Sequence, residues 1–587
     1  MDRLWKYLRR YLWRYLLGSL CLIATTTMVM AIPMLTRHAI DAIGAEGPAP
    51  ERIELVTHYA MLIIALALAQ AVVRTISRIL IFNAGRDVEY DLRSELFDHL
   101  LKLHQGYYQH QRTGDLMSRL VNDIGAIRML LGPGILTVLN TPLYLAYAFS
   151  IMVWMDPALT IVALLPFPII LVLTRRYMRA MMEATVRTQE KLATMSAFAQ
   201  ETLAGIHVVK SFVREESRAA EFRVLNGHYS VEAMTMARLR GRIFPAIRAA
   251  SSLGILIVLG YGGSEVISGR LSLGQFVAFM GYLQILAWPL MSLGFMIALV
   301  QRGRAAILRL GEIFDVAPAI QSPAADAADG YDPHTVRGDV LFEHVDFGYA
   351  AKTNGAGVLH DITLHVPAGT SLGILGRTGS GKSTLACLLP RLFDAAAGRV
   401  VVDGVDVRAW NLRALRGAIG FVPQDPFLFS TTIERNIGFG RSDLLAHELA
   451  ALVETSGLGS DLAEFPAGLE TPVGERGVTL SGGQKQRLTL ARAIARDPRI
   501  LVLDDSLSSV DAATERRILD NLAGVMEGRT TIVISHRVSS LQRTDRVAVV
   551  DEGRLVEEGT HAQLLARGGI YADLYRRQSL TEELEAL

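Results

Sequence analysis

Gly376 to Thr384 read GRTGSGKST, preceded by the apolar stretch SLGIL and followed by LACLLPRLF. Strand, glycine-rich loop and helix in that order are the context a phosphate-binding loop requires. Gly376, Gly379 and Gly381 let backbone N–H groups close around phosphate oxygens, with Thr378, Ser380 and Thr384 completing the loop. Lys382 adds a cation for the terminal phosphates, and the Ser383 hydroxyl can ligate Mg²⁺. Phosphate groups and Mg²⁺ are therefore the expected ligands of this loop.

The complementary half is ILVLDDSLSSVD, residues 500 to 511. A buried parallel strand reads as a continuous apolar run, and its C-terminal end is where α/β sheets present ligand-binding groups. Asp504, first off the strand, is placed to hold Mg²⁺ through its water shell. LSGGQ at Leu480 to Gln484 opens a basic amphipathic helix, KQRLTLARAIARDP, that runs straight into that strand. Ser-Gly-Gly at a helix start can bind any anion. Its position between the P-loop and ILVLDD is what makes it specific.

The chain around these motifs is 587 residues long, more than one core usually organises. Half of it is apolar and the formal charge is +1, which excludes a strongly basic nucleic-acid binder, so no nucleic-acid partner is expected. The two cysteines, Cys21 and Cys387, lie far apart without metal-ligand spacing, so neither a disulfide framework nor a zinc site is expected.

Apolar residues concentrate in the N-terminal half. Tyr15 to Leu35, Thr57 to Val73, Met129 to Met155, Pro157 to Thr174, Ala249 to Ser264 and Leu271 to Gln301 contain no Asp, Glu, Lys or Arg. Each approaches or exceeds the ~20 residues that cross a bilayer as a helix, the shorter ones extending past one flanking charge, so six spans are expected. The N-terminal 14 residues hold five Lys and Arg, residues 74–128 hold eight and residues 175–248 thirteen, against Arg37, Arg52 and Arg270 in the alternate connections. That bias places the N-terminus, both long loops and everything after span six in the cytoplasm. MDRLWKYLRRYLWRY reads as an amphipathic elbow helix on the inner surface. The apolar run behind it is long for a signal peptide, and five more follow.

Residues 1–314 thus form a transmembrane domain, 315–336 a Pro-, Ala- and Asp-rich linker, and 337–587 a soluble α/β domain. The loops 74–128 and 175–248 read as helices continuing from the spans, with turns expected at TGDLMSRL, Thr113 to Leu120, and around Glu201 to Glu216.

The ordered motifs resemble the nucleotide-binding domains of ATP-binding cassette (ABC) proteins. Tyr349 in VDFGY, 27 residues before Gly376, is similar to the family's adenine-stacking aromatic. Gln424 in FVPQDPFLF resembles the Q-loop glutamine, which touches Mg²⁺ and the attacking water. Glu475 in TPVGERG resembles a loop near the membrane-domain contacts, Asp511 in SSVD the acid at the dimer interface, and His536 the switch histidine that senses γ-phosphate. QHQRTGDLMSRLVND and ETLAGIHVVKSF are similar to the segments around the coupling helices of the exporter type (type IV fold). The resemblance implies a polytopic α-helical membrane domain of six transmembrane helices followed by an α/β P-loop ABC ATPase domain. It also implies a multi-pass protein of the cell membrane, surrounded by its lipids, with the ATPase domain in the cytoplasm. Two such chains would pair head to tail, with Ser481, Gly482, Gly483 and Gln484 serving the partner's ATP and alternating access driven by closure.

One position departs from the family. After the magnesium aspartate, where Glu usually orients the attacking water, stands Asp505, shorter by one methylene. Reach comes before pKa in general-base catalysis, so Asp505, with His536, Gln424 and Lys382 around it, is expected to hydrolyse ATP slowly. That combination resembles the degenerate-site half of heterodimeric multidrug or lipid exporters (MdlA-like, TmrA-like), whose second half-transporter chain supplies the Glu. A homodimeric lipid or peptide exporter with two slow sites, and an ATP-gated channel or regulator, are the alternatives. The expected substrate is an amphipathic small molecule. Gln70, Asn140, Thr141, Gln275 and Gln284 stand out within the spans, and interhelical hydrogen bonding is expected for them before a cavity. No intramembrane acid pair or basic cluster is expected.

Overall fold

The computed structural model describes residues 2–165, 167–323, 335–349, 357–474, 477, 479–506 and 512–586. They divide into two compact units, Met1–Leu100 with Gly114–Asp315, and Leu101–Thr113 with Val316–Leu587.

The first unit is helical. Six long helical segments are counted among the described residues: Leu12–Gly44, Ala49–Lys102, Thr113–Met155, Pro157–Leu164 with Phe167–Ala204, Glu215–Ile267 and Leu273–Phe314. The first three meet both the length and the hydropathy needed to cross a bilayer. Met61, Ile64 and Leu68 of the second stand 67, 59 and 65 % exposed, as a lipid-facing surface requires. The elbow helix Asp2–Arg10 precedes them. Lys6, Arg10 and Arg14, spaced four apart, meet Glu95, Asp91 and Asp87, also spaced four apart on Ala49–Lys102. The Lys6 and Arg10 pairs measure 3.1 and 3.0 Å. Such pairs are worth up to about 1 kcal/mol each; their regular spacing specifies antiparallel register.

Thr113–Met155 contains two π-helical turns, Arg119–Asp123 and Leu130–Gly134, the second holding Pro133. Beside it the backbones touch: a Cβ on Gly85 would lie 3.1 Å from the Gly132 nitrogen. Elsewhere Met30, Met152, Leu159, Phe279 and Tyr282 form a closed cluster, and the Tyr282 hydroxyl donates to the Met30 carbonyl at 2.7 Å.

The turn expected at Thr113 to Leu120 falls earlier. That stretch lies inside the continuous helix Thr113–Met155, with Gly114 in its first turn, where backbone N–H groups lack helical partners anyway. The chain turns instead around Leu103 and His104, forms the short helix Gln105–His110, and turns again at Gln111 and Arg112. These residues, with Leu103 buried, belong to the second unit. The other turn lies where expected, the short helix Ile206–Ser211 separating Ala204 from Glu215.

Among the described residues the second unit holds two sheets. Strands β1 (Val340–Phe347), β2 (Leu359–Val366), β4 (Ala397–Val402) and β5 (Val405–Asp406) form an antiparallel sheet ordered β2-β1-β4-β5. Strands β3 (Ser371–Leu375), β6 (Ile419–Val422), β7 (Ile500–Asp504), β8 (Thr530–Ile534), β9 (Arg546–Asp551) and β10 (Arg554–Gly559) form the other, ordered β10-β9-β3-β8-β7-β6. All but β10 run parallel. Leu501 and Leu503 enter one core while Ile500 and Val502 enter the other, so β7 is apolar on both faces. Asp504 pairs with Ile534, Ile534 with Ile374, and Leu503 with Val422, which levels the carboxyl ends of four strands.

Candidate active site

The phosphate loop, Gln424, the acid pair and His536 each stand at the end of one of those strands. Gly376 leaves β3 so close to β9 that a Cβ there would lie 2.1 Å from the Val550 carbonyl oxygen. Gly379 and Gly381 carry φ of 85° and 99°, the left-handed region that side chains disfavour. Lys382 opens the helix Lys382–Leu388 and curls back, its Nζ 2.8 Å from the carbonyl oxygens of both Gly376 and Arg377. Burial lowers its pKa, while the carboxylates of Asp504 and Asp505 oppose that shift. Thr378 and Ser380 lie in the loop, and Thr384 shares a 3.0 Å hydrogen bond with the Tyr349 hydroxyl. The Tyr349 ring stands edge-on to Phe347 and Phe393, with centroids 4.9 and 5.4 Å away.

The two adjacent acids diverge. Asp504 ends β7 and is 3 % exposed; its Oδ1 accepts from the Ser383 hydroxyl at 3.0 Å, and burial pushes its pKa up. Asp505 takes the left-handed backbone, φ 47°, and donates its N–H to the Ile534 carbonyl at 2.9 Å. Aspartate is among the few non-glycine residues that enter this region readily. Its Oδ1 lies 2.9 Å from Nδ1 of His536, the second residue past β8. The histidine side chain is half exposed and the aspartate largely covered. Gln424, two residues past β6, is exposed on the same edge of the sheet.

Ser383 and Asp504 form an oxygen-only donor pair, which fits a hard cation such as Mg²⁺. Among the described residues no three His, Cys, Asp or Glu gather into a closed metal site, so such a cation would complete its shell from phosphate and water.

Ser481 caps the helix Gly482–Ile494: its Oγ accepts from the Gln484 N–H at 3.3 Å while Gln484 Oε1 accepts from the Ser481 N–H at 2.9 Å. The Gln484 amide also donates to Asp461 at 3.2 Å, and Asp461 pairs with Arg487 at 2.6 Å. Gln484 therefore holds the turn's shape, Ser481 and Gly482 form its exposed surface, and Gly483 is buried. Glu475 and Asp511 lie outside the described residues.

One residue beside the site carried no sequence signal. Gln578, on the helix Ile570–Ala586, donates to the His536 carbonyl at 2.6 Å and accepts from the Val538 N–H at 2.7 Å. It grips the histidine loop from both sides, 42 residues further along the chain.

The first unit holds a cavity of about 640 Å³. Asn140, Thr141 and Gln284 line it. Thr141 also shares a 3.0 Å hydrogen bond with Ser292, and Asn140 accepts one from Thr26 at 3.2 Å, so hydrogen bonding and cavity lining coincide. Gln275 instead forms a capping box with Ser272 at the start of Leu273–Phe314, and Gln70 is not among the lining residues. Arg74 and Arg78, which the charge count assigns to the loop 74–128, also line this cavity.

A helical membrane domain joined to a P-loop α/β domain with lysine, aspartate and histidine at one sheet edge defines a membrane transport ATPase. Residues 15–290 match the ABC transporter transmembrane region, and residues 359–508 match the ABC transporter model. The chain is 34 % identical over 581 residues to the probable multidrug resistance ABC transporter ATP-binding/permease protein YheI of Bacillus subtilis (strain 168), covering 99 % of this chain and 98 % of that one. It is 32 % identical over 584 residues to the multidrug resistance-like ATP-binding protein MdlA of Escherichia coli (strain K12), covering 99 % and 96 %. A bacterial Atm1-family ABC exporter solved with ATP bound superposes with a TM-score of 0.78 at 29 % identity, covering 97 % of this chain and 99 % of that one. The chain belongs to the ABC transporter family. It is an ATP-binding transport ATPase, multi-pass in the membrane with its ATPase domain cytoplasmic, and its half-transporter fold implies dimerisation.

Proposed function

We propose that this chain exports amphipathic small molecules, drugs or lipids, across the cell membrane by alternating access, as one half of a heterodimer whose ATP site on this P-loop turns over slowly. Asp505 is the observation that carries the asymmetric reading. Its carboxylate occupies the general-base position beside His536, yet it is one methylene, about 1.5 Å, shorter than glutamate. A misplacement of ~1 Å can cost on the order of 10²-fold in rate. The multidrug names of the full-length relatives support export.

In this reading Tyr349 stacks on adenine and the loop Gly376–Thr384 wraps the phosphates, Lys382 turning its ammonium from the loop carbonyls to the terminal phosphate. Ser383 and Asp504, with Gln424, would hold Mg²⁺, which neutralises charge on the phosphates when bound. Asp505 orients the attacking water, and His536 contacts the terminal phosphate. Ser481, Gly482 and Gly483, shaped by Gln484, complete the partner's site.

Purifying this chain alone and measuring ATP hydrolysis tests the pairing. Slow turnover that rises on adding a glutamate-bearing half-transporter is expected; robust turnover without any partner overturns the heterodimer. In vesicles carrying the pair, accumulation of a fluorescent amphiphile against its gradient is expected, and dissipation alone would make the protein a channel.

A further inference from the structure

We propose that the membrane-domain cavity selects amphiphiles with a phosphate-class anionic head, gripped by Arg74 and Arg78; this deepens, and rests on, the export reading. The two arginines are one helical turn apart on Ala49–Lys102, so they share a face about 6 Å apart. Both line the same cavity, and no Asp, Glu or Lys lines it with them.

Their lack of acidic partners contrasts with other arginines of the same unit. Arg86, Arg93 and Arg128 all pair with Glu89, and Arg119 pairs with Asp115 and Glu312. Among the described residues, no carboxylate pairs with Arg74 or Arg78. Ser77, between them, donates to the Gly18 carbonyl at 2.7 Å, which levels them with the fourth residue of the uncharged run Tyr15–Thr36. Basic pockets between spanning helices on the cytoplasmic side bind anionic head groups.

The remaining wall suits the rest of such a molecule. Thr137, Asn140 and Gln284 add hydrogen-bonding groups to the lining, and Phe82, Leu136 and Phe295 add apolar surface. The volume, about 640 Å³, is that of a site for one drug-sized ligand. Two guanidinium forks one turn apart match the several oxygens of a phosphate better than the two of a carboxylate.

The test uses the full chain in phosphatidylcholine nanodiscs with two fluorescent probes sharing one tail, a dodecyl phosphate and a dodecyl trimethylammonium, read by anisotropy. At least tenfold tighter binding of the phosphate, weakening with salt, is expected in the unaltered chain. That selectivity should vanish in R74Q/R78Q and return in part in R74K/R78K. Equal affinity for the two probes overturns the proposal, as does phosphate-probe binding that survives R74Q/R78Q. The unaltered chain reports selectivity by itself, so a variant that fails to fold does not void the test. Competition by phosphatidic acid at least tenfold stronger than by unlabelled dodecyl phosphate assigns a lipid ligand, and equal competition by both assigns amphiphilic phosphates as a class. Competition by inorganic phosphate alone overturns the amphiphile site. Selective binding without ATP-driven accumulation in vesicles sinks the export reading and leaves the anion site; accumulation of the cationic probe alone does the reverse.

Discussion

In the ATPase unit the proposed site residues stand at or within two residues of strand ends: Gly376 after β3, Gln424 after β6, Asp504 and Asp505 at β7, His536 after β8. Strand register then brings them level with no further information. In the membrane unit the cavity draws Arg74 and Arg78 from one helix, Asn140 and Thr141 from a second and Gln284 from a third. There is no ladder between those helices. Their rotation and depth come from close approach, as at Gly85 and Gly132, and from π-helical turns such as Leu130–Gly134. A parallel sheet converts position in sequence into position in space, whereas a helix bundle leaves that conversion to packing.

Four experiments probe how sharply the ATPase side of that contrast holds. Lys382→Ala removes the cation that the strand-loop-helix context presents, and should lower single-turnover phosphate release by on the order of 10²- to 10³-fold. A loss under tenfold would mean that backbone N–H groups alone hold the phosphates. Next in size is a measure of how dry the ground beside the site is. Burial pushes the Cys387 thiol, on the P-loop helix, up to about 11. The thiol is neutral below that value, so in a Cys21→Ser chain maleimide labelling of Cys387 at about pH 8 should run on the order of 10²-fold slower than for an ordinary thiol. The rate should climb about tenfold per pH unit toward the raised pKa; ordinary labelling at pH 8 would put water behind the loop.

Asp505→Glu restores the missing methylene and should raise hydrolysis at this site by roughly 10- to 100-fold in single-turnover assays. No change would mean that the left-handed backbone at this position, and not reach, limits the acid. The smallest effect is expected at Gln578, a positioning residue that touches the backbone of the histidine loop and no reacting atom. Gln578→Ala should lower kcat a few-fold with KM for ATP unchanged. A matched shift in KM and thermal midpoint would assign it a merely structural role.

Much of the ATPase unit was legible because its chemistry needs particular residues in short contiguous runs. GRTGSGKST can close on phosphate only after a strand and before a helix, and both neighbours are present. The grip of Gln578 on the histidine loop was illegible, since a glutamine on a surface helix has no pattern that distinguishes it. The turn before Gln105–His110 was misplaced because Gly114 looked like a helix breaker, and a glycine in a helix's first turn breaks nothing. In the membrane unit hydrophobicity located the helices, but it carries no information on which face a charge takes, so Arg74 and Arg78 read as loop residues.

By itself the sequence determined the class of protein, an α-helical membrane domain followed by an ABC ATPase domain, because uncharged runs and phosphate-loop glycines are local requirements of lipid and of phosphate. It also determined that Asp505 stands where glutamate is usual. Only the tertiary structure decided that Asp504 and Asp505, adjacent in the chain, face a partly buried serine and a half-exposed histidine. It alone turned two loop arginines into the lining of a cavity. Both outcomes depend on direction, and the direction of a side chain is set by backbone dihedrals and by packing between distant elements, which composition and spacing do not encode.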